Sequence, residues 1–272
     1  MSYVYLPAIY FINNGLKMGR YSLRFVYEKA ALVLHGQRKN YVLVGDIHIG
    51  FERKLYEKGL HLHGVTEHMA KQLKEIARAN SAESIIMLGD IKDSLFYPDS
   101  TDSLLIREFF KELQGFDIEI AVGNHDAHLE EIVSVPIKNE IIIGDFAMMH
   151  GHMMPSEEAM RKKYLIMAHN HIAISFVDKN GAFYNQKAWL VAKLTKNAGL
   201  SRYPGANVGI KLVVSPAFND LITGYPVNDL NDRHINPVFR NHVFDYANAD
   251  VYTIYGELIG SPRSLRKKAP KR

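Results

Sequence analysis

Short apolar runs and helix-period segments alternate through the first half of the chain. Leu23–Tyr27 and Ala31–Leu34 are two brief apolar stretches joined by Glu28-Lys29-Ala30, the pattern of neighbouring strands. Tyr41–Val44, Ser84–Leu88 and Ile118–Val122 are mainly apolar runs of strand length, as expected where a strand is buried on both faces. Between them, His63 or Gly64 opens a segment reaching Ala79, with Val65, Met69, Leu73, Ile76 and Ala77 at helical spacing. Asp99 or Ser100 can cap a second helix that aligns Leu104, Leu105, Phe109 and Leu113, and Gly115 stops it. This order of strands and helices predicts an α/β protein with a largely parallel or mixed sheet under covering helices.

The second half reads differently. Glu140–Ile143 and Phe146–Met149 predict a hairpin around Gly144-Asp145, and Glu157–Lys163 a short helical piece. Tyr164–Ala168, Ala188–Leu194, Val208–Val214 and Asp250–Leu258 predict further strands, with a loop-rich Ser215–Asn231 between the last two. No internal repeat or linker interrupts the chain. The expected division is an N-terminal arm over residues 1–20, one domain over 21–260, and a basic tail over 261–272.

Polar residues that bind metals stand at the ends of the predicted strands. They are Asp46 with His48, Asp90, Asn124 with His125, His150, and His169 with His171. In open α/β sheets, ligands gather beyond the carboxyl ends of strands. If the backbone stays extended, Asp46 and His48 share a face, because side chains at i and i+2 do. Each pair alone is a weak signal, since Asp and Asn also favour ordinary turns.

Composition narrows the chemistry. The 272 residues contain no cysteine, which excludes disulfides, thiolate metal sites and cysteine nucleophiles. Any metal must therefore sit on His, Asp, Glu or Asn. The formal charge of +4 is uneven, because Ser261–Arg272 carries six basic residues and no acid. Without those six, 27 basic residues face 29 acidic ones. A basic terminus is either solvated or a contact for phosphate backbones. No stretch approaches the roughly 18 apolar residues of a membrane span. Met1–Gly15 is apolar but lacks the basic start of a signal peptide, so a cytoplasmic location is expected.

Taken in order, Asp-x-His at 46–48, Gly-Asp at 89–90, Gly-Asn-His-Asp at 123–126, His150, and His-x-His at 169–171 resemble the calcineurin-like metallophosphoesterases. Asp46–Glu52 and Ser215–Asp229 are similar to the ICC-like predicted phosphoesterases, a branch related to the nuclease subunit of the double-strand-break repair complex. The resemblance covers most of residues 23–225. It implies a four-layer αββα fold, two mixed sheets packed as a sandwich and flanked by helices, with a dinuclear site at one edge. By the family pattern one divalent ion takes Asp46, His48, Asp90 and His171, and the other Asp90, Asn124, His150 and His169. Two such ions can lower the pKa of a bridging water, whose hydroxide then attacks the phosphorus, and can clamp phosphoryl oxygens. Mixed imidazole and oxygen donors together with the family favour Mn²⁺, with Fe or Zn²⁺ also suitable. His125 is then the proton donor to the leaving oxygen or a clamp on phosphoryl charge. Asp126 is expected to orient an imidazole from behind. His152 either contacts phosphate, supports a ligand or is structural.

The resemblance implies a phosphodiesterase acting on DNA, RNA or nucleotide phosphodiesters, and a possible homodimer. Two alternatives stay open: a phosphomonoesterase or small-molecule phosphodiesterase, and a non-catalytic scaffold binding a partner through its surface and tail. Glu52 fits the branch motif with a structural or supporting role, while His61 and His63 read as surface or helix-capping residues. Three residues depart from the family. Ala168 stands where glycine is common and crowds the backbone, Asn170 replaces a frequent glutamate, and Asp93 replaces a frequent histidine.

Overall fold

The computed structural model describes residues 21–228 and 236–265. The expectations for the N-terminal arm, for residues 229–231 of the loop-rich stretch and for the tail from residue 266 onward lie outside the described residues. The first sheet holds β1 (Tyr21–Phe25), β2 (Leu32–Gly36), β3 (Asn40–Val44), β4 (Ser84–Met87), β5 (Asp117–Ala121) and β6 (Ile137–Lys138), in that spatial order. β1, β2 and β3 pair antiparallel, whereas β3 through β6 pair parallel. The helical connections α2 (Val65–Ala79) and α3 (Ser100–Glu112) make the parallel pairing possible. The Asp99 carboxylate caps α3 by accepting from the Asp102 N–H.

The second sheet runs in the order β13 (Tyr225–Pro226), β10 (Ile172–Val177), β11 (Phe183–Lys193), β12 (Lys211–Val214), β9 (Tyr164–Met167), β8 (Phe146–Met148) and β7 (Ile141–Ile143). β14 (Asp250–Thr253) adds to β11, and β15 (Leu258–Gly260) to β14.

Alternation along the strands sorts the apolar residues into three cores. Leu43, Ile86 and Leu88 face Met148, Ile166, Trp189 and Val213 across the space between the sheets. Val42, Val44, Ile85 and Met87 point the other way, onto Met69, Leu73 and Ile76 of α2 and Phe109 of α3. Leu165, Met167, Leu212 and Val214 turn outward beneath Met160 of α4 (Glu157–Met160) and Val238 and Phe239 of α6 (Pro237–Arg240). The molecule is thus a sandwich of two mixed sheets with helices on both flanks, as the motif order implied. Among the described residues no helix is long and apolar enough to cross a membrane.

Several elements differ from the sequence expectation. Asp250–Leu258 is two strands, turned back through residues 254–257. Residues 208–210 precede β12 as a turn, closed by the Ile210 N–H on the Asn207 carbonyl. β10 and the first five residues of β11, Phe183–Lys187, were not foreseen, because Ser175, Asn185, Gln186 and Lys187 interrupt the apolar pattern. α1 (Phe51–Tyr56) buries no residue and so has no apolar stripe to find. Pro262–Leu265 forms α7, with Pro262 buried.

Ala168, one of the departures, shows how the seam between the sheets closes. A Cβ on Gly45 would lie 2.5 Å from the Ala168 Cβ. The methyl of one strand end occupies the space that the glycine of the other leaves free. Gly45→Ala should therefore destabilise the protein by about 1–3 kcal/mol through overpacking. Adding Ala168→Gly should recover most of that loss. Denaturant unfolding of the single and double variants checks it, and strict additivity of the two changes would count against this contact.

Candidate metal centre

Every strand end that carried a polar pair arrives at one edge of the sandwich. Asp46 and His48 follow β3, Asp90 follows β4, and Asn124 and His125 follow β5. His150 follows β8, and His169 and His171 lie between β9 and β10. The backbone there is not extended. Asp46, His48, Asp90, His169 and His171 all have positive φ, between 43° and 70°. Asp46 and His48 thus converge through two left-handed residues separated by Ile47, which is anchored in the helix-side core, and not through strand alternation. Asp and His tolerate this region better than most residues, yet it still costs of order 1 kcal/mol or more each. Such strain persists where surrounding contacts fix the chain.

Those contacts are identifiable. Asn219, fully buried, donates from Nδ2 to the Ile47 carbonyl at 2.9 Å, and the Phe218 N–H donates to the Gly45 carbonyl at 2.9 Å. Lys187 holds the same loop by donating to the Phe218 and Asn219 carbonyls at 3.2 and 3.0 Å. The Ser-Pro-Ala-Phe-Asn-Asp stretch therefore clamps the first motif from the opposite sheet. Asp126 has a related job. Its carboxylate accepts from the backbone N–H groups of Asp90, Ile91 and Gly123 at 2.7–2.9 Å. It locks two strand ends together and does not act as the expected hydrogen-bond partner of an imidazole.

The floor of the cluster is buried and its rim is open. Asp46, His48, Asp90 and His150 are each 3 % exposed or less, while Asn124 is exposed and His125, His169 and His171 are intermediate. Asp90 Oδ2 lies 3.3 Å from His150 Nε2, 3.6 Å from His48 Nε2 and 3.9 Å from His125 Nε2. Asp46 Oδ1 lies 3.5 Å from His171 Nε2, and its carboxylate accepts from the His169 N–H. His150 Nε2 is 3.2 Å from Asn124 Oδ1 and 3.1 Å from His169 Nδ1. Ligand atoms of Asp46, His48, Asp90 and His171 lie within 4.8 Å of one another, as do those of Asp90, His150 and His169. Asp90 belongs to both groups.

The donor set fits divalent cations. His150 Nδ1 faces the Leu88 carbonyl at 2.7 Å, so that nitrogen carries a hydrogen and Nε2 is the free lone pair when the ring is neutral. That lone pair meets His169 Nδ1, just as His48 Nε2 meets His171 Nε2 at 3.2 Å. Two imidazole nitrogens pointed at each other need a hydrogen or a metal ion between them, and the buried carboxylate alongside favours positive charge there. The electrostatics agree. Burial alone would lower the His150 pKa, but the Asp90 and Asp46 carboxylates lift it to about 9. Burial likewise opposes His171, yet Asp46 raises it. Burial, helped by the neighbouring His150, pushes His169 down to about 4.

A cation must displace the protons on His150 and His171, so metal affinity should rise with pH. The slope is about tenfold per unit for each displaced proton, and the part due to His150 levels off near its pKa of about 9. Calorimetric titration with Mn²⁺ in buffers of different ionisation enthalpy counts those protons at pH 7. Binding without proton release would contradict this electrostatic picture.

Sequence reasoning missed what stands behind His48. Asp93 is buried; its Oδ1 is 3.4 Å from His48 Nδ1, long for a hydrogen bond but within strong electrostatic reach. Its Oδ2 pairs with Lys54 Nζ of α1 at 2.7 Å, and its carbonyl lies 2.7 Å from His125 Nδ1. His48, Asp93 and His125 also form a ligand-type trio, but the Lys54 ammonium already supplies a cation there. The signal was the acidic departure at position 93, which marks the position without naming its partner. His152 sits beside the second group, 5.4 Å from the His150 ring centroid, and its Nδ1 is buried with no hydrogen-bond partner among the described residues. Glu52 accepts from Thr66 and ties α1 to α2. His61 stacks edge-on against Tyr56 on the surface, and His63 is exposed.

No protein-family model matches the sequence, and no curated protein matches it. Solved structures do match. Nuclease MPE from Pseudomonas putida aligns over 88% of this chain and 100% of its own, at 15% identity and a TM-score of 0.54. The phosphoesterase Yfce from E. coli aligns over 81% and 96%, at 12% identity and a TM-score of 0.39. The two mixed sheets, their helical flanks and the Asp/His cluster at the strand ends establish that this chain has the metallophosphoesterase fold.

Proposed function

We propose that the protein is a dinuclear metal-dependent phosphodiesterase, with Mn²⁺ as the preferred ion. The observation that carries this reading is Asp90, a buried carboxylate common to two adjoining ligand groups. Asp46, His48, Asp90 and His171 would hold one ion, and Asp90, Asn124, His150 and His169 the other. When bound, such a pair supplies a water of lowered pKa and charge to neutralise phosphoryl oxygens. The chain's own residues then divide the remaining work. Asn124 adds an oxygen donor at the exposed side without another negative charge. His125, its Nδ1 fixed on the Asp93 carbonyl, presents Nε2 to the cluster. From there it can pass a proton to the departing oxygen.

A nucleic-acid substrate draws support from the fold shared with nuclease MPE. The basic residues after position 265 could add phosphate contacts. The direct test compares bis(4-nitrophenyl) phosphate with 4-nitrophenyl phosphate under Mn²⁺, followed by anomalous scattering at the cluster. Metal-dependent turnover favouring the diester, with two ions at the site, is the expected result. No metal-dependent turnover on either compound would leave the scaffold reading in its place.

A further inference from the structure

We propose that Phe96 is the contact for a nucleobase carried by the leaving group, so that the part of the diester expelled beside His125 is an uncharged nucleoside. The inference rests on the phosphodiesterase reading and names the group that departs.

Three consecutive apolar residues stand in solvent on the loop that follows Asp90. Leu95, Phe96 and Tyr97 are 56%, 81% and 63% exposed. A run of that kind is unfavourable in water unless something covers it in use. The loop that carries it is nonetheless fixed. Lys92, fully buried, donates from Nζ to the Ser94 and Phe96 carbonyls, and the Phe96 N–H donates to Ser94 Oγ at 3.2 Å. Pro98 follows and restricts Tyr97 to extended backbone.

Both ends of the loop are tied to the segment that holds His125. The Asp93 carbonyl lies 2.7 Å from His125 Nδ1. Tyr97 packs on the His128 ring with centroids 5.0 Å apart, and its hydroxyl donates to Glu131 at 2.7 Å. Phe96 lies between these ties, so its Cα is within about 11 Å of the Asp93 Cα, the reach of three residues. Tyr97 is committed to its neighbours. Phe96 is not, because among the described residues no other ring packs against it.

Charge decides what kind of group fits there. No lysine or arginine occurs from Asp93 to Ile106 or from Glu112 to Ile137. Arg53 is engaged by Asp99 and Asp102, Lys54 by Asp93, and Lys92 by the two loop carbonyls. A further phosphate on the leaving group would find no free cation along these segments. An uncharged base needs none, since every base offers a π face to an aromatic side chain. The planar ring at the centre of the run favours a stacked base over an alkyl chain. Hydrolysis forms one P–O bond to the water oxygen and breaks the one to the nucleoside oxygen, which takes its proton from His125 Nε2.

The test uses the full chain with Mn²⁺ and thymidylyl-(3′→5′)-thymidine. It is compared with diesters in which an abasic sugar replaces one nucleoside or the other, and with one in which hexanol replaces the departing nucleoside. Product analysis shows which sugar keeps the phosphate and hence which departs. Affinity is read by calorimetry on phosphorothioate-linked versions, and turnover on ordinary ones. In the wild type, loss of the departing base should lower affinity and kcat/KM about tenfold, whereas loss of the other base should not. Phe96→Ala should abolish that difference, and Phe96→Tyr should keep it. A phosphate added to the departing nucleoside should weaken binding, and a gain would overturn the uncharged assignment. Equal discrimination by wild type and Phe96→Ala, none by the wild type, or a Phe96-dependent preference for hexanol overturns the base contact. Discrimination in binding without any turnover would uphold the contact while removing the phosphodiesterase reading, and turnover without discrimination would do the reverse.

Discussion

Asp90→Ala is expected to lower metal-dependent diester hydrolysis by well over a hundredfold. Outer partners of metal ligands already account for about 10–100-fold when lost, and Asp90 stands within two ligand groups at once. Its Oδ2 faces three imidazoles, and its Oδ1 accepts from the His125 N–H at 2.9 Å. Removing it withdraws the charge that both groups share and the anchor of the catalytic candidate. Metal analysis after desalting should show the loss of both ions, not of one. Asp90→Asn separates the two contributions, because an amide oxygen can still accept from His125 while the charge is gone. Two equivalents of metal and wild-type turnover in Asp90→Ala would end the dinuclear reading.

His125→Ala should reduce turnover by about 10²–10⁴-fold, the usual range for a positioned proton donor, while leaving metal content at two equivalents. The loss should depend on the departing group. A 4-nitrophenolate leaves without a proton, so the variant should be least impaired there, and a nucleoside alkoxide should expose the full deficit. The Asp93 carbonyl on Nδ1 is what makes this directional, because it leaves Nε2 as the nitrogen facing Asp90. An equal loss on both kinds of leaving group would point instead to a role in binding phosphoryl charge. Loss of metal in the variant would make His125 a ligand.

Much of this site was legible because its chemistry sits at the ends of strands that apolar runs announce. Tyr41–Val44, Ser84–Leu88 and Ile118–Val122 needed only their burial to be recognised, and the order of the polar residues after them carried the fold. What stayed hidden lies in tertiary placement. The left-handed conformations at Asp46, His48, Asp90, His169 and His171 leave no trace in periodicity. Asp126 looked like a partner for an imidazole, because Asp beside His often is, yet three backbone N–H groups claim it. Lys54 stands on a helix too short and exposed to predict, so its pairing with Asp93 required coordinates. Tyr225 belongs to a two-residue strand inside a proline- and glycine-bearing loop, where no pattern could form.

The clamp of Asn219 on the Ile47 carbonyl has a wider bearing. Asp46, His48 and Asp90 come from one layer of the sandwich, and His150, His169 and His171 from the other. Neither half of the polypeptide possesses the whole candidate ligand set, which comes together only when the layers dock. Ions seated there would act as rivets across that joint. Their removal by a chelator should loosen amide protons around Gly45 and Ala168 before those deep in either sheet.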